Sequence, residues 1–221
     1  MTQYPQVSVV RNKQRMYAVS IAKLWLGKSI MLKQAKTLTE QELRKVLDFI
    51  ATRPHATRNR AMLLFTYYAG LRVGEVASLL YGDVIDDAGD IRDEILLDAE
   101  RTKGHHARVV FVNAKLKREL EAYFSQYPST KPNAKLFYSQ KREEQGFTAN
   151  TLTQHFHYLY RRAGISGASS HSGRRSFITN LAAKGVGVRV LMSLACHRNI
   201  STTQAYIDVN DDMKRRAVEL A

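Results

Sequence analysis

Arginine, lysine, histidine and tyrosine recur along this chain in an order that suits attack on a phosphate ester. They stand in Gly70-Leu-Arg72-Val-Gly-Glu75, Thr102-Lys103-Gly-His-His106, His171-Ser-Gly-Arg174 and His197-Arg-Asn-Ile-Ser-Thr-Thr-Gln-Ala-Tyr206. A tyrosine hydroxyl titrates near ~10 when unperturbed. As a nucleophile it needs cations that stabilise its anion and the charge growing on the phosphate. Guanidinium groups present a planar fork of N–H donors to phosphate oxygens, and imidazoles add a donor or carry a proton.

Each cluster also has a plainer reading. Arg72 and Glu75 share a helix face three residues apart and would make an ordinary surface ion pair; in a site, Glu75 would orient the arginine or a neighbouring base. His171 and Arg174 open a helix that Ser169 or Ser170 starts, where free N–H groups and the dipole already favour an anion. Lys103 at a hairpin tip is a solvated lysine or the acid for a departing oxygen. Tyr206 is one of eleven tyrosines, and a lone tyrosine is most often a packing residue. Order and company single it out. Arg175 is read as a contact to a DNA backbone. His105 and His106 lack the carboxylate or cysteine spacing of a metal site, His155 and His157 are assigned no role, and no Gly-x-Ser-x-Gly elbow supports a hydrolase. Gly27-Lys28-Ser29 resembles the end of a phosphate-binding loop, but Ala22 occupies the position of its first glycine.

These residues need a frame. Thr39 with Glu42 forms an N-cap pattern ahead of a helix through Leu43, Val46, Leu47 and Ile50, which Pro54 ends. Residues 57–69 are apolar almost throughout, predicting a core helix that Gly70 stops, and a helix from Val73 to Leu80 follows. Ile91 to Leu97 and Arg108 to Val112 read as strands, with Thr102 to His106 as the hairpin tip between them. Helices are predicted at 115–126, 149–163, 173–184, 187–196, 201–208 and 211–220. The class is α+β, mainly α-helical, with a small antiparallel sheet.

Composition narrows the partner. Lys and Arg number 34 against 20 Asp and Glu, a formal charge of +14 in 221 residues, which favours a polyanion, nucleic acid above all. A single cysteine, Cys196, excludes an internal disulfide framework and a multi-cysteine zinc site and fits a reducing cytosol. The most apolar early stretch, Ala18 to Leu32, contains Lys23 and Lys28 and is shorter than a membrane span. A cytoplasmic protein with no membrane partner is expected, with an arm at residues 1–35 and one principal domain at 36–221.

The motifs, in this order, resemble the tyrosine recombinase (phage integrase) family across its catalytic domain. The resemblance implies that Arg72, Lys103, His171, Arg174, His197 and Tyr206 form the catalytic set, with Glu75 in support. It implies a site-specific DNA recombinase or integrase that cleaves and rejoins double-stranded DNA through a 3′-phosphotyrosyl intermediate, with no cofactor, metal or ATP. It further implies a homotetramer on DNA, with Asp211 to Leu220 docking on a neighbour or folding back on its own domain, and a helper such as a DNA-bending protein. Relaxation of DNA in the manner of a type IB topoisomerase, and DNA binding without catalysis, are the alternatives. The chain departs from the family at Ala195-Cys196, where Leu-Gly is usual, at Gly173, where leucine is common, and at Arg175, where a second histidine is frequent. Residues 1–35 are also too few for the family's core-binding domain.

Overall fold

The computed structural model describes residues 35–102, 105–129, 131–139, 146–207 and 211–219. Ala35–Ala221 forms one compact unit; the arm expected at 1–35 lies, but for Ala35, outside the described residues.

The first described helix, α1 (Glu40–Ala51), starts as its capping pattern predicts. The Glu42 N–H donates to Thr39 Oγ1 at 3.2 Å, and the Thr39 N–H donates to Glu42 Oε2 at 3.1 Å, so two otherwise orphaned donors are satisfied reciprocally. Leu43, Val46 and Ile50 form its buried stripe. Helix α2 (Ala56–Tyr68) is buried continuously from Ala61 to Tyr67 and runs through the core, as its unbroken apolar run predicts. Its first turn carries buried Arg58 and Asn59. Arg58 donates to the Tyr138 carbonyl at 2.9 Å and lies over the Phe147 ring, and Asn59 Oδ1 is 3.1 Å from His155 Nε2. His155 is therefore a half-buried structural histidine, and burial followed by the Arg58 charge holds its pKa down to about 4.

Helix α3 (Val73–Ser78) is followed by a single turn, α4 (Tyr81–Val84). Strands β1 (Glu94–Leu97) and β2 (Arg108–Phe111) pair antiparallel, Leu97 opposite Arg108 and Ile95 opposite Val110. The sheet is shorter than the apolar run predicts. Ile91 makes only an isolated bridge to Ile85, and the Arg92 N–H bonds the Val84 carbonyl. Successive strand residues face opposite ways, so Ile95, Leu97, Arg108 and Val110 point inward while Leu96, Val109 and Phe111 face out.

Helices α5 (Ala114–Gln126) and α6 (Ala149–Arg162) are capped by Asn113 and Thr148. Then come α7 (Ser172–Ala183), α8 (Val188–Ala195), α9 (Ile200–Gln204) and α10 (Asp211–Val218). The principal packings set α2 against α5 and α7, and α3 against α6. The fold is mainly helical with one small two-stranded antiparallel sheet among the described residues, the class expected. None of the described helices is long and apolar enough to cross a membrane.

Candidate active site

Gly70 turns the first arginine into the molecule. Its φ is +65°, and a Cβ there would stand 2.5 Å from the Phe177 ring, so the position demands glycine twice over. Leu71 is then sunk in the core and Arg72 becomes the N-cap of α3. The Arg72 backbone N–H donates to Glu75 Oε2, and its guanidinium to Glu75 Oε1, both at 2.7 Å. Glu75 is only 2% exposed. The pair is therefore no solvated surface bridge.

Two further arginines converge on it. Arg108 projects inward from β2 and donates to Glu75 Oε2 and to the Leu194 carbonyl, each at 3.0 Å. Arg174, in the first turn of α7, donates to the carbonyls of Gly70 and Ala195. Arg72 also reaches the carbonyls of Ala195 at 3.4 Å and Cys196 at 3.3 Å. Three guanidiniums thus gather the carbonyls of 194–196 at the C-terminus of α8, where a helix leaves carbonyls unbonded and its dipole is negative. One carboxylate faces three cations, so the cluster keeps a positive excess suited to an oxyanion.

Burial and mutual repulsion set the protonation of the site. Arg174 is 5% exposed; burial first, then the charges of Arg72 and Arg108, lowers its pKa to about 9, which leaves it charged at neutral pH. Burial likewise pushes Arg108 down, while Glu75 pulls it back up. Burial is again the first cause at His197, with Arg174, Arg72 and Arg108 adding to it, and holds the ring near about 4. At neutral pH His197 is therefore uncharged. Its Nε2 lies 3.2 Å from Arg174 and its Nδ1 3.0 Å from Thr203 Oγ1. Because a guanidinium only donates, Nε2 accepts and the ring proton belongs on Nδ1.

Tyr206 stands beside this cluster. It follows α9 in a tight turn instead of lying within the helix expected at 201–208, because the Tyr206 N–H bonds back to Thr203 O and the Ile207 N–H to Gln204 O. Its ring stacks on His197, centroids 5.6 Å apart at 24°, and the Arg175 guanidinium lies 5.1 Å from its centroid. Thr179 Oγ1 donates to its carbonyl at 3.2 Å.

Arg72, Glu75, Arg174, Arg175, His197 and Tyr206 are thus assembled in one place. His171 is exposed at the N-cap of α7, a position expected for Ser169 or Ser170, and stands one turn ahead of Arg174. Lys103 lies outside the described residues. Its flanks are held, since Thr102 Oγ1 donates to the His106 carbonyl at 2.6 Å and Arg198 lies 2.6 Å from His106 Nε2. Among the described residues no three His, Cys, Asp or Glu side chains gather where they could share a metal ion.

Arg108 has no counterpart among the residues singled out from sequence. Its signal is the strand alternation: Arg108, Val110 and Val112 share one face, and all three are buried. A charge on the inward face of a strand requires a buried partner, and here that partner is Glu75.

The model of the Phage integrase family matches residues 36–213. Tyrosine recombinase XerA of Thermococcus kodakarensis is 33% identical over 189 residues, 84% of this chain and 62% of its own length. Tyrosine recombinase XerD of Neisseria meningitidis is 30% identical over 177 residues, 78% of this chain and 58% of its own length. A crystal structure of XerA recombinase superposes with a TM-score of 0.65 at 25% identity, covering 83% of this chain and 64% of that one. The Tn1549 transposon integrase, solved in complex with transposon right end DNA, shares the fold with a TM-score of 0.66 at 19% identity, over 87% of this chain and 67% of that one. The chain spans 62% of the length of the XerA relatives it matches in Thermococcus kodakarensis and Pyrococcus furiosus.

Proposed function

The chain belongs to the phage integrase family, and from that membership we propose that it is a site-specific DNA recombinase whose nucleophile is Tyr206. The observation that carries this reading is the positive excess of Arg72, Arg108 and Arg174 over Glu75, beside a tyrosine ring stacked on His197.

A DNA phosphate enters the arginine cluster, and Arg72 and Arg174 present N–H donors to its non-bridging oxygens. The Tyr206 oxygen attacks phosphorus, a Tyr206 O–P bond forms, and the bond from phosphorus to the 5′-oxygen breaks. The products are a 3′-phosphotyrosyl link and a free 5′-hydroxyl. The tyrosine proton leaves with help from His171, and Lys103 protonates the departing 5′-oxygen. His197 follows the phosphate. Once the oxyanion takes the Arg174 N–H that now points at Nε2, the imidazole changes tautomer, giving up its Nδ1 proton to water and taking one up at Nε2, so that Nε2 donates to the phosphate and the Thr203 hydroxyl turns to donate to Nδ1, since a hydroxyl serves in either sense. One phosphoester replaces another of similar energy, so the covalent intermediate stores the bond for rejoining. Double-stranded DNA is the partner, and joining two duplexes calls for a homotetramer on DNA, with α10 available for a neighbour.

A suicide duplex that traps the cut strand tests this, incubated without metal or ATP beside Tyr206→Phe. A covalent protein–DNA band that disappears in the mutant, while DNA binding persists, is the expected result. Salt-sensitive binding with no adduct on any substrate would overturn it in favour of a DNA-binding protein. Relaxation of supercoiled plasmids of any sequence would favour a topoisomerase.

A further inference from the structure

Arg175 is engaged on both sides. Its guanidinium lies 5.1 Å from the Tyr206 ring centroid, within the distance at which a cation is attracted to an aromatic face. Its Nε donates to Thr37 Oγ1 at 3.1 Å. The next residue, Leu38, is buried and its N–H donates to Ser176 Oγ at 2.7 Å, so the stretch ahead of α1 is pinned to α7 at two successive residues. Arg175 and Ser176 are neighbours on that helix, and Thr179, one turn on, holds the Tyr206 carbonyl. The nucleophile is therefore braced at its backbone by Thr179 and at its ring by Arg175 and His197.

We propose that Arg175 is a positioning residue for the nucleophile, and that Thr37 fixes Arg175 in turn, so the segment entering the domain is mechanically coupled to Tyr206. This rests on Tyr206 being the nucleophile. It differs from the reading of Arg175 as a DNA-backbone contact in what each would change. A phosphate contact sets affinity and its salt dependence; a residue that orients the attacking ring sets the rate once DNA is bound.

The full chain is used for the test, as Arg175→Met, Arg175→Lys and Thr37→Val, with thermal unfolding to verify folding. Single-turnover cleavage of the suicide duplex is measured at saturating DNA, beside the dissociation constant at several salt concentrations. Arg175→Met is expected to lower the rate roughly tenfold, the scale of a partly desolvated cation–π contact, with affinity and salt slope unchanged. Thr37→Val should lower the rate about threefold, less than the full worth of a hydrogen bond from a charged donor because the half-buried guanidinium regains water, although it removes no charge. Arg175→Lys should recover part of the loss. An unchanged rate with weaker binding and a salt slope reduced by about 0.9 would overturn the proposal, since that is the signature of one lost phosphate contact. A second readout does not depend on cleavage. With 3-fluorotyrosine at position 206, Arg175→Met should shift and broaden the fluorine resonance, and an unmoved resonance would overturn the contact itself. A wild type that forms no adduct would refute the recombinase reading, while the resonance would still decide whether Arg175 holds the ring.

Discussion

At the scale of single residues, the site contains a strained position and an overcommitted one. Cys196 ends α8 at φ 47° and ψ 54°, a left-handed conformation that costs a residue with a side chain roughly 1–2 kcal/mol. Glycine adopts it freely but loses about 0.5–1 kcal/mol more conformational freedom on folding. Cys196→Gly should therefore stabilise the protein by about 0.5–1 kcal/mol in urea denaturation and leave adduct formation intact, because Arg72 meets only the carbonyl of this residue. A lower midpoint would contradict the strain. Arg108 is the overcommitted residue. It serves Glu75 and Leu194 from a position 7% exposed, while its Nε finds no hydrogen-bond partner among the described residues. Arg108→Met strips one of the two cations from buried Glu75 and should cost about 3 kcal/mol, the lower end for breaking a buried pair. Adding Glu75→Gln should cost less than the sum of the two single changes, since the uncompensated charge is then gone. Additive losses would mean that the two side chains are energetically independent.

At the scale of elements, close approach between α2 and α7 explains one departure from the family. A Cβ at Gly173 would fall 2.0 Å from Thr66 Oγ1 and 2.9 Å from Thr66 Cβ, so the leucine common at this position has no room. Gly173→Ala should destabilise by about 2 kcal/mol through overpacking, and Thr66→Ala in the same chain should recover part of it by removing the nearer atom. Equal stability of Gly173→Ala and wild type would show that the helices can part at no cost. The helices themselves were legible because their apolar positions recur at helical spacing and Thr39 with Glu42 marks the start of the first of them. The turn α4 was not. It has four residues and rests on distant partners, the Tyr81 N–H on the Ala134 carbonyl and the Gly82 N–H on the Pro132 carbonyl. Likewise, motif order pointed to Arg72, Arg174, His197 and Tyr206, whereas the carbonyls of 194–196 that hold the arginines belong to the backbone and leave no trace in residue types. Arg108 is not legible in the sequence, because an arginine at a strand end reads as a solvated edge until its register is known.

At the scale of the whole molecule, the site joins two regions of unequal support. The principal core cluster runs from Leu38 to Ala168. Ile178, Ala182, Leu191 and Ala195, on α7 and α8, are buried outside it, α8 packs on α7, and α9 on α8. His197 and Tyr206 belong to this thinner region. Helix α7 is anchored to the main core by its packing on α2, whereas what ties α8 and α9 to it near the site is largely polar: Arg72 and Arg108 reach across to the carbonyls of 194–196 from α3 and β2. Regions with less buried apolar surface open at lower free energy than the core. In rising urea, adduct formation should therefore fail before helical circular dichroism does, and Arg108→Met should widen the interval by removing one tie. Coincident curves for activity and helicity in both proteins would show a single cooperative unit in which Arg108 is no separate tie. A wider interval in the mutant would mean that Arg108 holds the last helices in place, beside the phosphate role proposed for the cluster. Binding of DNA would then both use and relax the ties that assemble the site.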